Sequence, residues 1–213
     1  MRDSLGSAPV RWTHSVVAVV AMHGAIASCG REERATLVDR IYPYLVTAAF
    51  PESKIGLEPQ LGHGIRATVV VEVNGLIHSL TQEELQALAM PWDSVRALAV
   101  NNLDRLVREK RIGIRLFDSG PGGRPFILVG GNWASAALIL SPKFRAMAEA
   151  ALHTSELCAS IPHREALLVF PKGNRASRDA MRQMIRTKEA DALRPLTWEL
   201  FELTPNGAIP FTE

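Results

Sequence analysis

Two sets of residues in this chain have the types and spacing to do chemistry. The first is Ser135 together with His163 and Arg164. A hydroxyl becomes a nucleophile when a base lies beside it and a third group holds the base. Ser135 follows the apolar run Phe126-Ile-Leu-Val129 and the turn Gly130-Gly131-Asn132, a strand-to-helix handover that superficially matches a nucleophile on a bend. Its neighbours, Asn132-Trp-Ala-Ser-Ala136, lack the flanking glycines that a sharp, strained elbow needs. The alternative is a structural serine in the first turn of a helix. Gly130-Gly131 ahead of a helix could offer amides to a phosphate, but no Lys-Ser/Thr pair or third glycine follows, and Trp133 does.

The second set is basic. Arg175, Arg178, Arg182 and Arg186 recur at spacings of three and four, which places them along one side of a helix, and Lys172 precedes them. Such a stripe can hold phosphates or an acidic partner protein. The bland alternative is a solvated face balanced by Asp179, Glu189 and Asp191, with the arginine stems covering apolar surface. Between the two sets, Ile161-Pro-His-Arg-Glu165 joins two apolar runs. Pro162 there belongs at a strand edge or turn, which leaves His163 and Arg164 near a sheet end. A structural pairing of Arg164 with Glu165 or Glu156 competes with a functional one.

Metal and redox chemistry find little support. The six histidines, His14, His23, His63, His78, His153 and His163, form neither a His-Glu-x-x-His helix nor a cluster with cysteine. No cofactor motif is complete. Only two cysteines occur, Cys29 and Cys158, and neither sits in a pair with metal-ligand spacing, so the expectation is a reducing compartment, the cytoplasm. A competing signal lies near the start. Arg2 and Arg11 precede the apolar run Val16-Val-Ala-Val-Val-Ala-Met22, and Ile26-Ala-Ser-Cys29 resembles a lipobox, in which Cys29 would carry a lipid and anchor the protein to the cell envelope. Asp3 in the basic region and His23-Gly24 in the apolar run argue for a core segment instead.

The elements that must position these groups can be read in order. With 213 residues, 47% hydrophobic and 22% charged, the chain can bury a full core, and a net charge of +2 gives no whole-chain reason to expect nucleic acid or an anionic membrane as partner. Leu37, Val38, Ile41, Leu45 and Ala48 fall at helical spacing, with a bend expected at Pro43 and an end at Phe50-Pro51. Ile65–Val73, the turn Asn74-Gly75 and Leu76–Leu80 predict a hairpin. Thr81 and Glu84 form a capping box for a short helix to about Ala89.

Pro91 and Asp93 open a longer helix with an apolar face at Val95, Leu98, Ala99, Leu103, Leu106 and Val107. On it, Asp104 and Arg108 are expected to pair outside, and Asn101 and Asn102 to be solvated or capping. Ile112–Asp118 reads as a strand. Ser119–Pro125 is a glycine- and proline-rich loop back to Phe126–Val129. Ser141-Pro142 restarts a helix to about Leu152, and a basic helix is expected near Ser177–Ala190 with Met181, Met184, Ile185 and the stem of Lys188 facing the core. Leu196–Leu203 and the Asn206-Gly207 turn close the chain as strands. Trp92, Trp133 and Trp198 are expected in the core. Hairpins and helices without βαβ alternation predict an α+β fold, a mainly antiparallel mixed sheet covered by several helices. We expect a single domain over 1–213, with lobes at 1–90 and 91–213 as the finer division.

The segments Ala99-Val-Asn-Asn-Leu103, Trp133-Ala-Ser-Ala-Ala-Leu138, Ile161-Pro-His-Arg164, Leu167-Leu-Val-Phe170 and Pro195-Leu-Thr-Trp-Glu-Leu-Phe201, taken together, resemble a bacterial family of uncharacterised proteins. The resemblance covers about residues 60–213. Glu165 stands where that pattern prefers Asp. It implies a mixed α/β soluble bacterial protein and carries over no catalytic residue. The functional expectation is therefore a non-enzymatic protein-binding or regulatory module, with an immunity-like protein as one form of it, whose acidic partner meets Lys172, Arg175, Arg178, Arg182 and Arg186. The rivals are a hydrolase or transferase acting on a phosphorylated or acyl substrate through Ser135, His163 and Arg164, and a lipid-anchored envelope protein.

Overall fold

The computed structural model describes residues 37–48, 56–192 and 195–213. The lipobox-like Cys29, the apolar run before it and the Phe50-Pro51 stop lie outside the described residues.

The fold is α+β, built on two antiparallel sheets. In the first, β3 (Ile65–Val73) pairs along one edge with β1 (Ile41–Thr47). Its other edge is shared, β2 (Gly56–Gly62) taking the first half and β4 (Leu76–Ser79) the second. The β3–β4 turn is the expected one: Asn74 and Gly75 have φ of 53° and 79°, the positive values of the hairpin turn that Asn-Gly favours. Next come α1 (Gln82–Leu88), opened by the Thr81–Glu84 capping box, and α2 (Trp92–Arg108).

The second sheet contains β5 (Gly113–Phe117), β6 (Phe126–Gly130), β7 (Leu157–Ser160), β8 (Leu167–Pro171), β9 (Leu200–Thr204) and β10 (Gly207–Pro210). Their order is β10-β9-β7-β8-β6-β5, and each pairing is antiparallel. Between β6 and β7 the chain makes a 3-10 segment, Ser135–Leu140, and then α3 (Pro142–Leu152), whose N-cap is Ser141. Between β8 and β9 it makes α4 (Arg175–Lys188), capped by Asn174.

Alternation along the strands of the second sheet sends side chains to two different cores. Ile127, Val129, Leu157, Ala159, Leu167, Val169, Phe201 and Leu203 join the first sheet, α2 and α3 in one large cluster. Phe126, Cys158, Leu168, Phe170 and Leu200 point the other way and pack under Met181 and Ile185 of α4 and under Phe211. A sheet covered on both faces needs continuous apolar strands, and Ala166-Leu-Leu-Val-Phe170 is one, with each residue buried.

The predicted helix through Ile41 and Leu45 is instead the strand β1. Ile41, Tyr42, Pro43, Leu45 and Val46 are buried, and a strand buried on both faces loses the period-two signal that would identify it. Pro43 does not bend a helix; it sits on an edge. Arg40 O accepts from Glu72 N at 2.9 Å and Ala48 N donates to Gly64 O at 2.6 Å, so even-numbered positions face β3 and Pro43 turns its missing N–H to the other edge, which pairs with no strand among the described residues.

Two more expectations change on α2. Asn102 is buried, and its Nδ2 donates to Val38 O at 2.8 Å and Ile41 O at 2.9 Å, sealing the start of that open edge of β1. Asp104 does not pair with Arg108. It points inward, 8% exposed, accepting from Ser141 Oγ at 2.5 Å and lying 3.3 Å from Lys143 Nζ. Ser141 accepts in turn from Phe144 N at 3.1 Å, so one hydroxyl both caps α3 and ties it to α2.

The two sheets meet at β2 and β10. Gly62, at φ +88°, leaves no room for a Cβ against the ring of Pro210. His63 packs edge-on to Phe201 at 5.2 Å and hydrogen-bonds Leu200 O through Nε2 at 3.1 Å. No helix of the described residues is long and apolar enough to cross a membrane.

Candidate functional site

Ser135, His163 and Arg164 each bond a different partner. Ser135 is fully buried, and its Oγ donates to Asn132 O at 2.7 Å. Asn132 itself turns the chain, its Oδ1 accepting from Ala134 N at 2.9 Å. The local sequence thus builds a hydrogen-bonded turn at the end of β6, and the hydroxyl is part of it. His163 accepts from Glu165 N through Nδ1 at 3.2 Å, which leaves its proton on Nε2, 2.9 Å from Glu189 Oε2. That contact fastens the corner before β8 to the end of α4. Glu189 therefore answers His163 rather than balancing the arginines of its own helix.

Arg164 pairs with neither Glu165 nor Glu156. Its Nε donates to Leu45 O at 3.1 Å, and its guanidinium lies 5.0 Å from the ring centre of Tyr44. Leu45 has the same parity as Ile41 and Pro43, so Arg164 closes the far end of the β1 edge that Asn102 closes at the near end. Arg164 O accepts from Ala136 N at 3.0 Å, which carries the latch on to the 3-10 segment. Trp133 packs edge-on to Tyr42 at 5.6 Å beside it, half-buried against the core.

The basic helix is where charge concentrates. Residues 175–188 carry five cationic side chains and one acidic one. Amphipathic spacing sends Met181 and Ile185 into the small core and leaves the arginines along the flank. Three of them converge on one carboxylate. Arg182 Nη1 donates to Glu213 Oε1 at 2.6 Å, Arg175 Nε lies 3.3 Å from Oε2, and Arg178 Nε lies 4.0 Å from Oε1. Asp179 sits between, 3.0 Å from Arg182 and 3.7 Å from Arg175.

Glu213 is brought there by Phe211. The Phe211 N–H donates to Leu200 O at 2.9 Å, and its ring is 8% exposed, with Arg178 at 4.9 Å and Lys172 at 5.6 Å from its centre. Lys172 Nζ also meets Glu202 Oε1 at 3.0 Å. Hydrogen bonding from Arg182, with the field of Arg175 and Arg178, holds the Glu213 carboxyl below its ordinary range. Burial works against the charge of Arg182, but Glu213 and Asp179 outweigh it and hold the guanidinium above its ordinary value.

Next to this cluster lies an open groove of about 390 Å³ lined by Asp179, Arg182, Gln183, Arg186 and Thr187. Arg186, the fourth arginine of the stripe, is exposed there. A second hollow, of about 320 Å³, includes Arg124, Glu156, Lys172 and Gly173. Neither is lined by Ser135, His163 or Arg164. Among the described residues no three His, Cys, Asp or Glu side chains gather as a metal site. Cys158 is a free, buried thiol, and burial pushes its pKa up to about 11, which keeps it protonated and unreactive at neutral pH.

The spacing of the stripe found Arg175, Arg178 and Arg182. It could not find Glu213 or Phe211, whose place depends on the β9–β10 hairpin returning the chain to α4. The nearest sequence signal is the pairing of an aromatic and an acid two residues apart after Pro210. No protein family, curated protein or solved structure matches the chain. The resemblance noted for residues 60–213 therefore rests on its short motifs alone.

Proposed function

We propose that this protein is a non-enzymatic binding or regulatory module that holds an acidic protein partner along α4, as an immunity-like protein holds its target. One observation supports the reading above the rest: three guanidiniums on one helix converge on a single carboxylate delivered by an extended segment. Guanidinium groups match carboxylates in shape and charge, and several acting together select an acid far better than a lone surface pair does. Arg175, with 77% of its side chain exposed, and Arg186 in the neighbouring groove extend the same surface to solvent. A partner therefore meets a cationic strip that leads into the cradle, where its acid takes the place of Glu213. The compartment that goes with the reading is the cytoplasm, and the lipid-anchored alternative rests on Cys29 alone.

The test is a salt titration of binding to an acidic peptide, run on the full chain and on Arg182→Glu. The reading predicts affinity that falls steeply as salt rises, and a large loss in the variant at low salt. An affinity that stays flat with salt, or is untouched by Arg182→Glu, would sink it.

A further inference from the structure

The cradle on α4 is incompletely filled by the group that occupies it. A carboxylate presents two oxygens, and three guanidiniums face it. Oε1 of Glu213 takes Arg182 at 2.6 Å, and Oε2 faces Arg175 at 3.3 Å. Arg178 is left over on this side. Its Nη1 donates to Gly173 O at 2.9 Å and Lys172 O at 3.3 Å, which fixes the guanidinium plane, while Nε stays 4.0 Å from Glu213 and is buried with no hydrogen-bond partner among the described residues. A buried N–H without an acceptor is costly, and it marks where a further ligand oxygen would be welcome. The Arg178 side chain is only 12% exposed, so solvent does not readily relieve it.

We infer, resting on the acidic-partner reading above, that this cradle is a dianion site whose partner ligand is a phosphorylated peptide segment, and that Phe211-Thr212-Glu213 is an internal stand-in for that segment. A phosphate monoester brings three acceptor oxygens and a charge near −2, so it can meet Arg175, Arg178 Nε and Arg182 together. The stand-in also indicates the flanking residue. Phe211 fills an apolar seat between Lys172 and Arg178 above the small core, and the acid follows two residues later. The partner segment then carries an aromatic residue two positions before its phosphorylated one. Binding requires the internal stand-in to leave, so the fold holds the site shut until a stronger anion arrives.

The experiment compares two labelled peptides by fluorescence anisotropy, one containing Phe-Thr-phosphoserine and the other Phe-Thr-Glu, on the full chain and on Glu213→Gln. The inference predicts that Glu213→Gln binds the phosphopeptide about tenfold or more tightly than the glutamate peptide. Arg178→Met, checked for folding by circular dichroism, should erase that preference; if it does not fold, the peptide pair on Glu213→Gln still decides. Equal affinities for the two peptides overturn the dianion assignment and leave the acidic-partner reading standing. Failure of both peptides to bind Glu213→Gln overturns both.

Discussion

Arg164 at the sheet junction and Arg182 on α4 carry the same guanidinium and direct it to different acceptors. Arg164 donates to Leu45 O, a backbone carbonyl on the edge of a buried strand that faces away from β3. If Arg164 let go, that carbonyl would need another donor, and β1 would lose a clasp to the second sheet. Arg182 donates to Glu213 and Asp179, carboxylates that water or another cation can serve. The first bond is part of the fold, while the second can be exchanged. The same contrast separates the two sequence motifs: the Ile161–Glu165 corner is a fastening between layers, and the α4 stripe is a surface with a replaceable occupant.

The sharpest way to break the comparison is at the β1 edge. Asn102 serves two carbonyls there, so Asn102→Ala should lower stability by about 2–3 kcal/mol in chemical denaturation, because a buried and a partly buried acceptor lose their donor. Arg164→Met keeps much of the apolar stem and removes one charged donor, with an expected loss of about 2 kcal/mol. Arg182→Met should cost under about 1 kcal/mol, the range of partly exposed ion pairs. If Arg182→Met destabilised the protein as much as Arg164→Met, the division between fastening and surface would be wrong.

A smaller effect, dependent on pH, is expected at the start of α1, where charge again serves the fold. His78 Nε2 lies 3.0 Å from Glu84 Oε1, and Glu84 Oε2 accepts from Thr81 N at 2.8 Å as half of the capping box. The hydrogen bond to Glu84 raises the His78 pKa above its ordinary 6.5. For Glu84, burial alone would raise the value, but the bonds from His78 and from Thr81 outweigh it and the carboxyl sits below its ordinary 4.5. The raised His78 contributes stability that is fully present below about pH 6.5 and lost as pH rises through its folded value. The lowered Glu84 contributes stability present above about pH 4.5 and lost as pH falls through its folded value. Stability of the parent minus that of His78→Gln should therefore be greatest near about pH 5.5 and shrink toward pH 9. A difference that grows from about pH 6 to about pH 9 would contradict the pairing.

Features set by neighbours along the chain were legible: the Asn74-Gly75 hairpin, the Thr81–Glu84 box, the Ser141 cap and the arginine spacing of α4. Features set by distant partners were not. β1 was hidden because burial on both faces gave Ile41 and Leu45 a spacing that a helix would also satisfy. Asn102 and Asp104 looked like surface groups because their partners, Val38 O and Ile41 O for the one and Ser141 and Lys143 for the other, lie elsewhere in the chain. At the candidate site the cationic half was visible and the acidic half was not, since Glu213 reaches Arg182 only after β9 and β10 have folded back.

The most direct measurement of the central claim is the affinity of one acidic peptide for Glu213→Gln against the parent chain at fixed low salt. A ligand that must displace Glu213 from the α4 cradle should bind the variant about fivefold or more tightly, because the parent holds the competent state at only a fraction of its population. Equal affinity for the two proteins would mean that Glu213 and the ligand do not share a site, and the account of α4 would fall.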